Sequence, residues 1–338
     1  MTWTRLPLSR STVDRGAERR GDPTLIPGLL DDARTRVLMV RGALVPVGDG
    51  PVGDGPVGDG PVGDGPVLDL RGPGELGARV GEVERWLYLG TQDDVGYLAA
   101  VLRDGAVADG VVGSAAGAGS AAGTGSAADE DREADRWASL RDVGAALSDR
   151  DAGLATTAVG LAAWHRSMVH CPRCGADLLV EESGWLLRCP LDASAHYPRT
   201  DPAVIVALVD ASDRLLLAHA TQWSPLRFSN VAGFVEPGES AEQAVRREVA
   251  EETGVLVGAV TYLGSQPWPF PASLMLAFRA TAETTEVTAD GVELSEARWF
   301  TRAGLSDDID AGRVTLPGRA SIARVMIEGW FGGALPGE

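Results

Sequence analysis

One helix constrains this chain more than any other segment. Residues 240–252 open on Ser240, which can cap a helix, Gln243 completes a capping box, and Gly254 follows as a stop signal. At about 100° per residue, Ala241, Ala244 and Val245 share a face with Glu248, Glu251 and Glu252. The face that should meet a core turns acidic in its last two turns. Carboxylates spaced i, i+3, i+4 repel one another, and they stand near the helix C-terminus, where the dipole disfavours negative charge. Arg246 and Arg247 are expected to point elsewhere. A cation in the folded state explains such a set, and hard divalent ions such as Mg²⁺ or Mn²⁺ take oxygen ligands. A solvated acidic face is the alternative that the helix alone leaves open.

The pattern around the helix is mixed. Residues 203–209 and 214–220 alternate as strands joined by a polar turn at 210–213. Further strands are predicted at 228–235, 255–263, 274–282 and 297–300, and a closing helix at 319–330. This order suits an α/β or α+β sandwich. Upstream, 36–45 and 85–89 read as strands, and Leu154, Ala158, Leu161 and Ala162 place a helix at 151–168. A pentapeptide Pro-Val-Gly-Asp-Gly, repeated four times over 46–65, and a Gly/Ala/Ser-rich, then acidic stretch over 109–136 are expected outside any packed core. The expected division is a variable N-terminal domain (1–150, with insertions at about 46–67 and 109–136), a helix and cysteine segment (151–200), and a catalytic domain (201–338).

The net charge of −18 argues against a protein that grips long nucleic acid mainly through its phosphates. It leaves room for a pocket holding one nucleotide. No apolar run approaches the ~18 residues a bilayer span needs, and residues 1–20 carry arginines without an apolar core. No membrane attachment and a cytoplasmic location are therefore expected. The three cysteines, Cys171, Cys174 and Cys189, fit reduced thiols or a metal site better than a disulfide framework.

Read from Gly233, the chain gives five residues, Glu239, seven residues, Arg247-Glu248-Val249, one residue, Glu251-Glu252, one residue, Gly254-Val255. This resembles the Nudix box, the signature of hydrolases acting on nucleoside diphosphates linked to another group. The resemblance implies that Glu248, Glu251 and Glu252 hold Mg²⁺ or Mn²⁺ and carry catalysis, with the carbonyl of Ala232 and the later Glu293 as further ligands. Glu252 is the residue expected to matter most; whether it or Glu251 acts as base stays open. Arg247 would pair with Glu239, and Gly233 and Gly238 would allow the sharp loop between strand and helix.

Two further stretches are similar to the NADH pyrophosphatase (NudC-like) subgroup. Ser265-Gln266-Pro267-Trp268-Pro269-Phe270-Pro271-Ala272-Ser273 resembles its SQPWPFPxS motif, with Ala272 where glutamine is usual. Its prolines should stiffen a loop that cannot continue a ladder, with Trp268 and Phe270 as rigid surface for a nucleotide. Cys171-x-x-Cys174 and Cys189-x-x-Asp192 resemble its zinc ribbon, with aspartate replacing a fourth cysteine and His170 and His196 as nearby alternatives. Tyr197 and Phe234 would sandwich a base, and Ala323 matches a substrate-contacting alanine.

The resemblance thus implies a Nudix α/β/α sandwich preceded by a zinc ribbon and a smaller mixed N-terminal domain. It implies hydrolysis of NAD(H) to AMP and nicotinamide mononucleotide, removal of NAD caps from RNA 5′ ends as a second activity, and a homodimer. The competing readings are another dinucleotide or an ADP-sugar as substrate, and a non-catalytic zinc-ribbon binding module.

Overall fold

A computed structural model describes residues 5–51, 64–103 and 135–336. Its chain forms two compact units, Arg10–Arg199 with Pro269–Ala272, and Met1–Ser9 with Thr200–Trp268 and Ser273–Glu338.

The first unit opens with helix α1 (Leu25–Asp31), which buries Leu25 and Leu29. Strands β1 (Arg36–Val40) and β2 (Leu44–Pro51) follow. They were expected as one strand, but Gly42 at φ 60° turns the chain between them. Strands β3 (Asp64–Leu68), β4 (Leu70–Arg71), β5 (Val83–Gln92), β6 (Val95–Leu102) and β7 (Trp137–Ser139) complete two sheets, ordered β4-β1-β6-β5 and β3-β2-β7. The pentapeptide repeat is not wholly outside the packed structure. Its first residues, Pro46 and Val47, are buried, and β2 and β3 pair through Gly48↔Val67 and Gly50↔Gly65, because the ladder of the flanking strands runs on into it. Residues 52–63 of the repeat lie outside the described residues, as do 109–134 of the second low-complexity stretch. Asp135, at its end, is buried and receives a 2.6 Å bond from Arg79.

Helices α2 (Leu140–Val143) and α3 (Asp149–Ser167) lead to the cysteines. Ser148 caps α3, which is buried on nearly every side. A small sheet of β8 (Leu179–Glu181), β9 (Leu186–Arg188) and β10 (Ala195–His196) is ordered β10-β9-β8.

In the second unit, β11 (Asp201–Val209) is central. It pairs parallel with β15 (Ser273–Ala282) and antiparallel with β12 (Leu215–Ala220) and β13 (Val231–Phe234). The edges are β14 (Val257–Trp268), beside β15, and β16 (Leu294–Phe300), beside β12. Side chains of a strand alternate between faces. Val204, Val206 and Leu208 pack on helix α4 (Ala241–Thr253) through Ala244, Val245 and Val249. Ile205, Ala207 and Val209 pack on α5 (Arg302–Asp310) and α6 (Ile322–Phe331) through Leu305, Ile322, Met326, Ile327 and Trp330. Each buried Val, Leu, Ile or Met side chain among them contributes about 1.5–3 kcal/mol. This three-layer arrangement is the expected α/β/α sandwich. Leu6 joins its core and Leu8 donates to Gln266, so the N-terminal residues belong here and not with the unit that follows them.

Candidate active site

Helix α4 forms as its local sequence dictates. The Gln243 N–H donates to Ser240 Oγ at 3.2 Å, Gln243 Oε1 accepts the Ser240 N–H at 3.0 Å, and Gly254 closes the helix at φ 70°. Its apolar face pulls the acidic turns against β13. A side chain on Gly233 would place Cβ 2.0 Å from Glu248 Cδ. Gly233 is therefore required by the close approach of this carboxylate to the strand, a reason different from the loop flexibility expected of it. Gly238, at φ 90°, does serve the turn.

Arg247 does not point away from the acidic residues. It makes a two-pronged pair with Glu239 at 2.9 Å, and also donates to Glu248 at 2.9 Å, Glu251 at 3.1 Å and the Phe234 carbonyl. The reach of a guanidinium exceeds what the helical angle of its Cα suggests. Glu239 first, then Glu248 and Glu251, raise the Arg247 pKa.

One arginine does not balance what surrounds it. Glu252 is 6% exposed, and no hydrogen bond to its carboxylate occurs among the described residues. Burial, followed by the fields of Glu248, Glu293 and Asp290, pushes its pKa up to about 8. Ionising it in the cation-free protein costs about 5 kcal/mol, a large fraction of a domain's stability. Burial also raises Glu248, against the pull of Arg247. Glu251, by contrast, is mostly exposed.

The fourth expected carboxylate, Glu293, is carried on the loop before β16. Asp290 accepts the N–H groups of Val292, Glu293 and Leu294 at 3.1, 3.2 and 2.9 Å, which shapes that loop. Asp290 was not anticipated from the sequence; the Asp-Gly pair at 290–291 is the turn signal that pointed to it. A groove of about 700 Å³ lies beside α4, lined by Pro237, Gly238, Gln243, Arg246 and Leu256. Glu239 and Arg247 also line it, so it borders the carboxylate face through that ion pair.

The aromatic motif divides. Ser265–Trp268 belong to β14, with Pro267 opposite Leu274. Pro267 thus continues a strand, which an edge position tolerates. Gln266 is fully buried, accepting from Leu8 N–H at 3.2 Å and donating to the Ala320 carbonyl at 2.9 Å. Both ends of its amide are engaged, so it ties the unit together and is not free to contact substrate. Ala323 is likewise buried in the core, with its N–H given to the Ser321 cap. In the other unit, Pro269 is buried and Arg141 lies over the Phe270 ring at 4.2 Å. Pro271, joined to Phe270 by a cis bond, is exposed, and Ala272 and Ser273 are half-buried. Tyr197 is 66% and Phe234 58% exposed, unusual for large aromatics and suited to a ligand.

The cysteine segment forms two matched knuckles. Gly175 N–H donates to the Cys171 carbonyl and Ala193 N–H to that of Cys189; Cys171 N–H donates to Ala176 and Cys189 N–H to Ser194. Gly175 and Ala193, at equivalent places, both take positive φ. The ligand atoms of Cys171, Cys174, Cys189 and Asp192 lie within 4.8 Å of one another. Burial tends to raise the Cys171 thiol, but the N–H groups of Arg173 and Cys174 bring it down to about 6, while burial pushes Cys189 up to about 11. Asp192 is held well below the usual carboxylate range by the Ser194 hydroxyl and N–H. Three sulfurs and an oxygen so grouped fit a tetrahedral zinc ion. Of the two histidines, His196 bonds Ser194 beside the cluster, whereas His170 pairs with Asp177.

Residues 199–316 match the family model of the NUDIX domain. This chain carries a NUDIX domain. The chain is also 42% identical over 201 residues to the NAD-capped RNA hydrolase NudC of Mycobacterium bovis (strain BCG / Pasteur 1173P2), covering 56% of this chain and 64% of that protein. It is 39% identical over 197 residues to the NAD-capped RNA hydrolase NUDT12 of Homo sapiens, covering 55% of this chain and 43% of that one. The chain thus spans less than two thirds of the length of these relatives. A solved NUDIX hydrolase from Nitrosomonas europaea aligns with 50% of this chain and 96% of its own at 23% identity, with a TM-score of 0.38.

Proposed function

We propose that the NUDIX domain hydrolyses the diphosphate of NAD(H) to AMP and nicotinamide mononucleotide, and makes the same cut at the NAD cap of RNA. The observation that carries this is Glu252, buried without a hydrogen-bond partner among the described residues and lying in the fields of Glu248, Glu293, Asp290 and Glu251. Glu248, Glu251, Glu252, Glu293 and the Ala232 carbonyl would hold Mg²⁺ or Mn²⁺. Bound there, such an ion would offset the charge of the diphosphate and favour attack by water at phosphorus. Gly233 makes room for Glu248, and Arg247, braced by Glu239, orients Glu248 and Glu251. Water adds to one phosphorus, the bridging P–O bond breaks, and the proton that water loses passes to a carboxylate of this set. Phe234 and Trp268, in the same unit as the carboxylates, would supply aromatic surface for the base or the nicotinamide.

The names of the relatives support this substrate class. A second set of residues, Cys171, Cys174, Cys189 and Asp192, would hold structural zinc. Exposed Leu179, Val180 and Leu191 on the ribbon suit a homodimer. Among the described residues no helix is long and apolar enough to cross a membrane, in keeping with the proposed cytoplasmic location. The test is product analysis after incubation with NADH and Mg²⁺ or Mn²⁺. AMP should appear, vanish with chelator, and form faster than from ADP-ribose; preference for ADP-ribose would overturn the substrate assignment.

A further inference from the structure

The carboxylate site has a counterpart of opposite sign. Residues 10–20 carry four arginines against Asp14 and Glu18, in a chain of net charge −18. Three of them cluster at one place in the first unit. The Arg20 guanidinium stacks 3.6 Å over Trp185, Arg15 lies 6.0 Å from the same ring, and Arg19 lies 5.9 Å from the ring of Tyr88. None of the three forms an ion pair among the described residues; Glu18 and Glu182 act on Arg20 only at longer range. Arg10, by contrast, is neutralised by Asp149 at 3.0 Å.

The cluster is built, not incidental. Gly16, at φ 48°, brings the turn so close to Tyr88 that a Cβ would meet the phenol oxygen at 2.7 Å. Trp185 is fixed by a 2.8 Å bond from its indole N–H to the Tyr88 carbonyl, and Ser183 donates to the Arg20 carbonyl. Beneath this turn the Tyr88 hydroxyl is fully buried with no hydrogen-bond partner among the described residues. Arg15 and Arg19 project exposed, and Trp185 remains half-exposed. Guanidinium planes beside an indole face form a surface for stacked bases and phosphates together.

We infer that Arg15, Arg19, Arg20 and Trp185 form a docking surface for single-stranded RNA. This rests on the proposed reading of the NUDIX site as acting on capped RNA. A free dinucleotide has two phosphates, and the carboxylate site with its cations would engage both. Three cations without an ion pair among the described residues suit a ligand with phosphates to spare.

The experiment measures binding of the full chain to an uncapped single-stranded oligoribonucleotide by fluorescence anisotropy across a salt series, with free NADH hydrolysis assayed in parallel. Arg15→Ala/Arg19→Ala should weaken binding on the order of tenfold and make the log–log salt slope shallower by about 1.4, two phosphate contacts at about 0.7 each. NADH hydrolysis should be unchanged. Arg34→Ala, whose parent side chain is exposed but paired with Asp32 at 2.8 Å, should leave binding intact. An unchanged affinity and slope in the double variant, with unchanged thermal midpoint, would overturn the proposal. So would failure of the parent protein to bind RNA, whether or not it binds phosphatidylserine vesicles. RNA binding lost in the double variant without any NADH hydrolysis in the parent would uphold this surface and sink the substrate reading instead.

Discussion

The carboxylates of α4 and the knuckle cysteines are both proposed as metal ligands, but the fold holds them in opposite ways. The knuckles satisfy their own backbone. Paired N–H bonds shape each turn, and Ser194 and neighbouring amides stabilise the charged forms of Asp192 and Cys171. Among the described residues the carboxylate face has no such support beyond Arg247, and burial and like charges keep its most buried member protonated at pH 7 without a cation. One site is formed in advance by local hydrogen bonds. The other is assembled by packing against an electrostatic cost that a ligand must offset.

That contrast can be broken first at Glu252. Glu252→Gln should lower NADH hydrolysis on the order of 10²–10⁴-fold. It should also stabilise the cation-free protein above pH 8. The sign follows from a folded-state pKa raised from 4.5 to about 8: the carboxyl's contribution is intact below pH 4.5 and lost as pH rises through 8, by about 5 kcal/mol in total. Thermal midpoints of both proteins in chelator from pH 4 to 9 check this; parallel curves would mean that Glu252 is not electrostatically strained.

The first unit should show the opposite slope. His165, 3% exposed, bonds the Gly184 carbonyl at 2.9 Å, and burial lowers its pKa from 6.5 to about 4. Its contribution is present above pH 6.5 and lost as pH falls through 4, about 3 kcal/mol in all. His165→Gln should flatten the acid limb of stability, read by denaturant melts between pH 4 and 7.

Gly233→Ala tests the packing side of the comparison. The new methyl collides with Glu248, so stability should fall by about 1–3 kcal/mol, and Mn²⁺ binding by calorimetry should weaken. Retained affinity would show that Glu248 can move aside. The smallest effect is expected at the ribbon, where Asp192→Cys should slow extraction of zinc by chelator about tenfold through a softer ligand. Equal release rates, or no zinc in either protein by elemental analysis, would remove Asp192 from the ligand set.

How much of this was readable follows from range. The α4 helix was legible because Ser240, Gln243 and Gly254 act over three or four residues; β11 was legible as a strand from a short apolar run that is buried on both faces rather than alternating. Gln266 was misread because its partners, Leu8 and Ala320, lie 258 and 54 residues away. Arg247 was misread because a Cα angle says little about where five donors reach.

By itself, then, the order of residues determined the caps, the apolar runs of the strands, the NUDIX spacing and the cysteine knuckles, all of which depend on neighbours along the chain. Tertiary structure alone decided that Gly233 must lack a side chain and that Glu252 is buried among like charges. Burial and field are sums over atoms brought together by folding, and no local pattern records them.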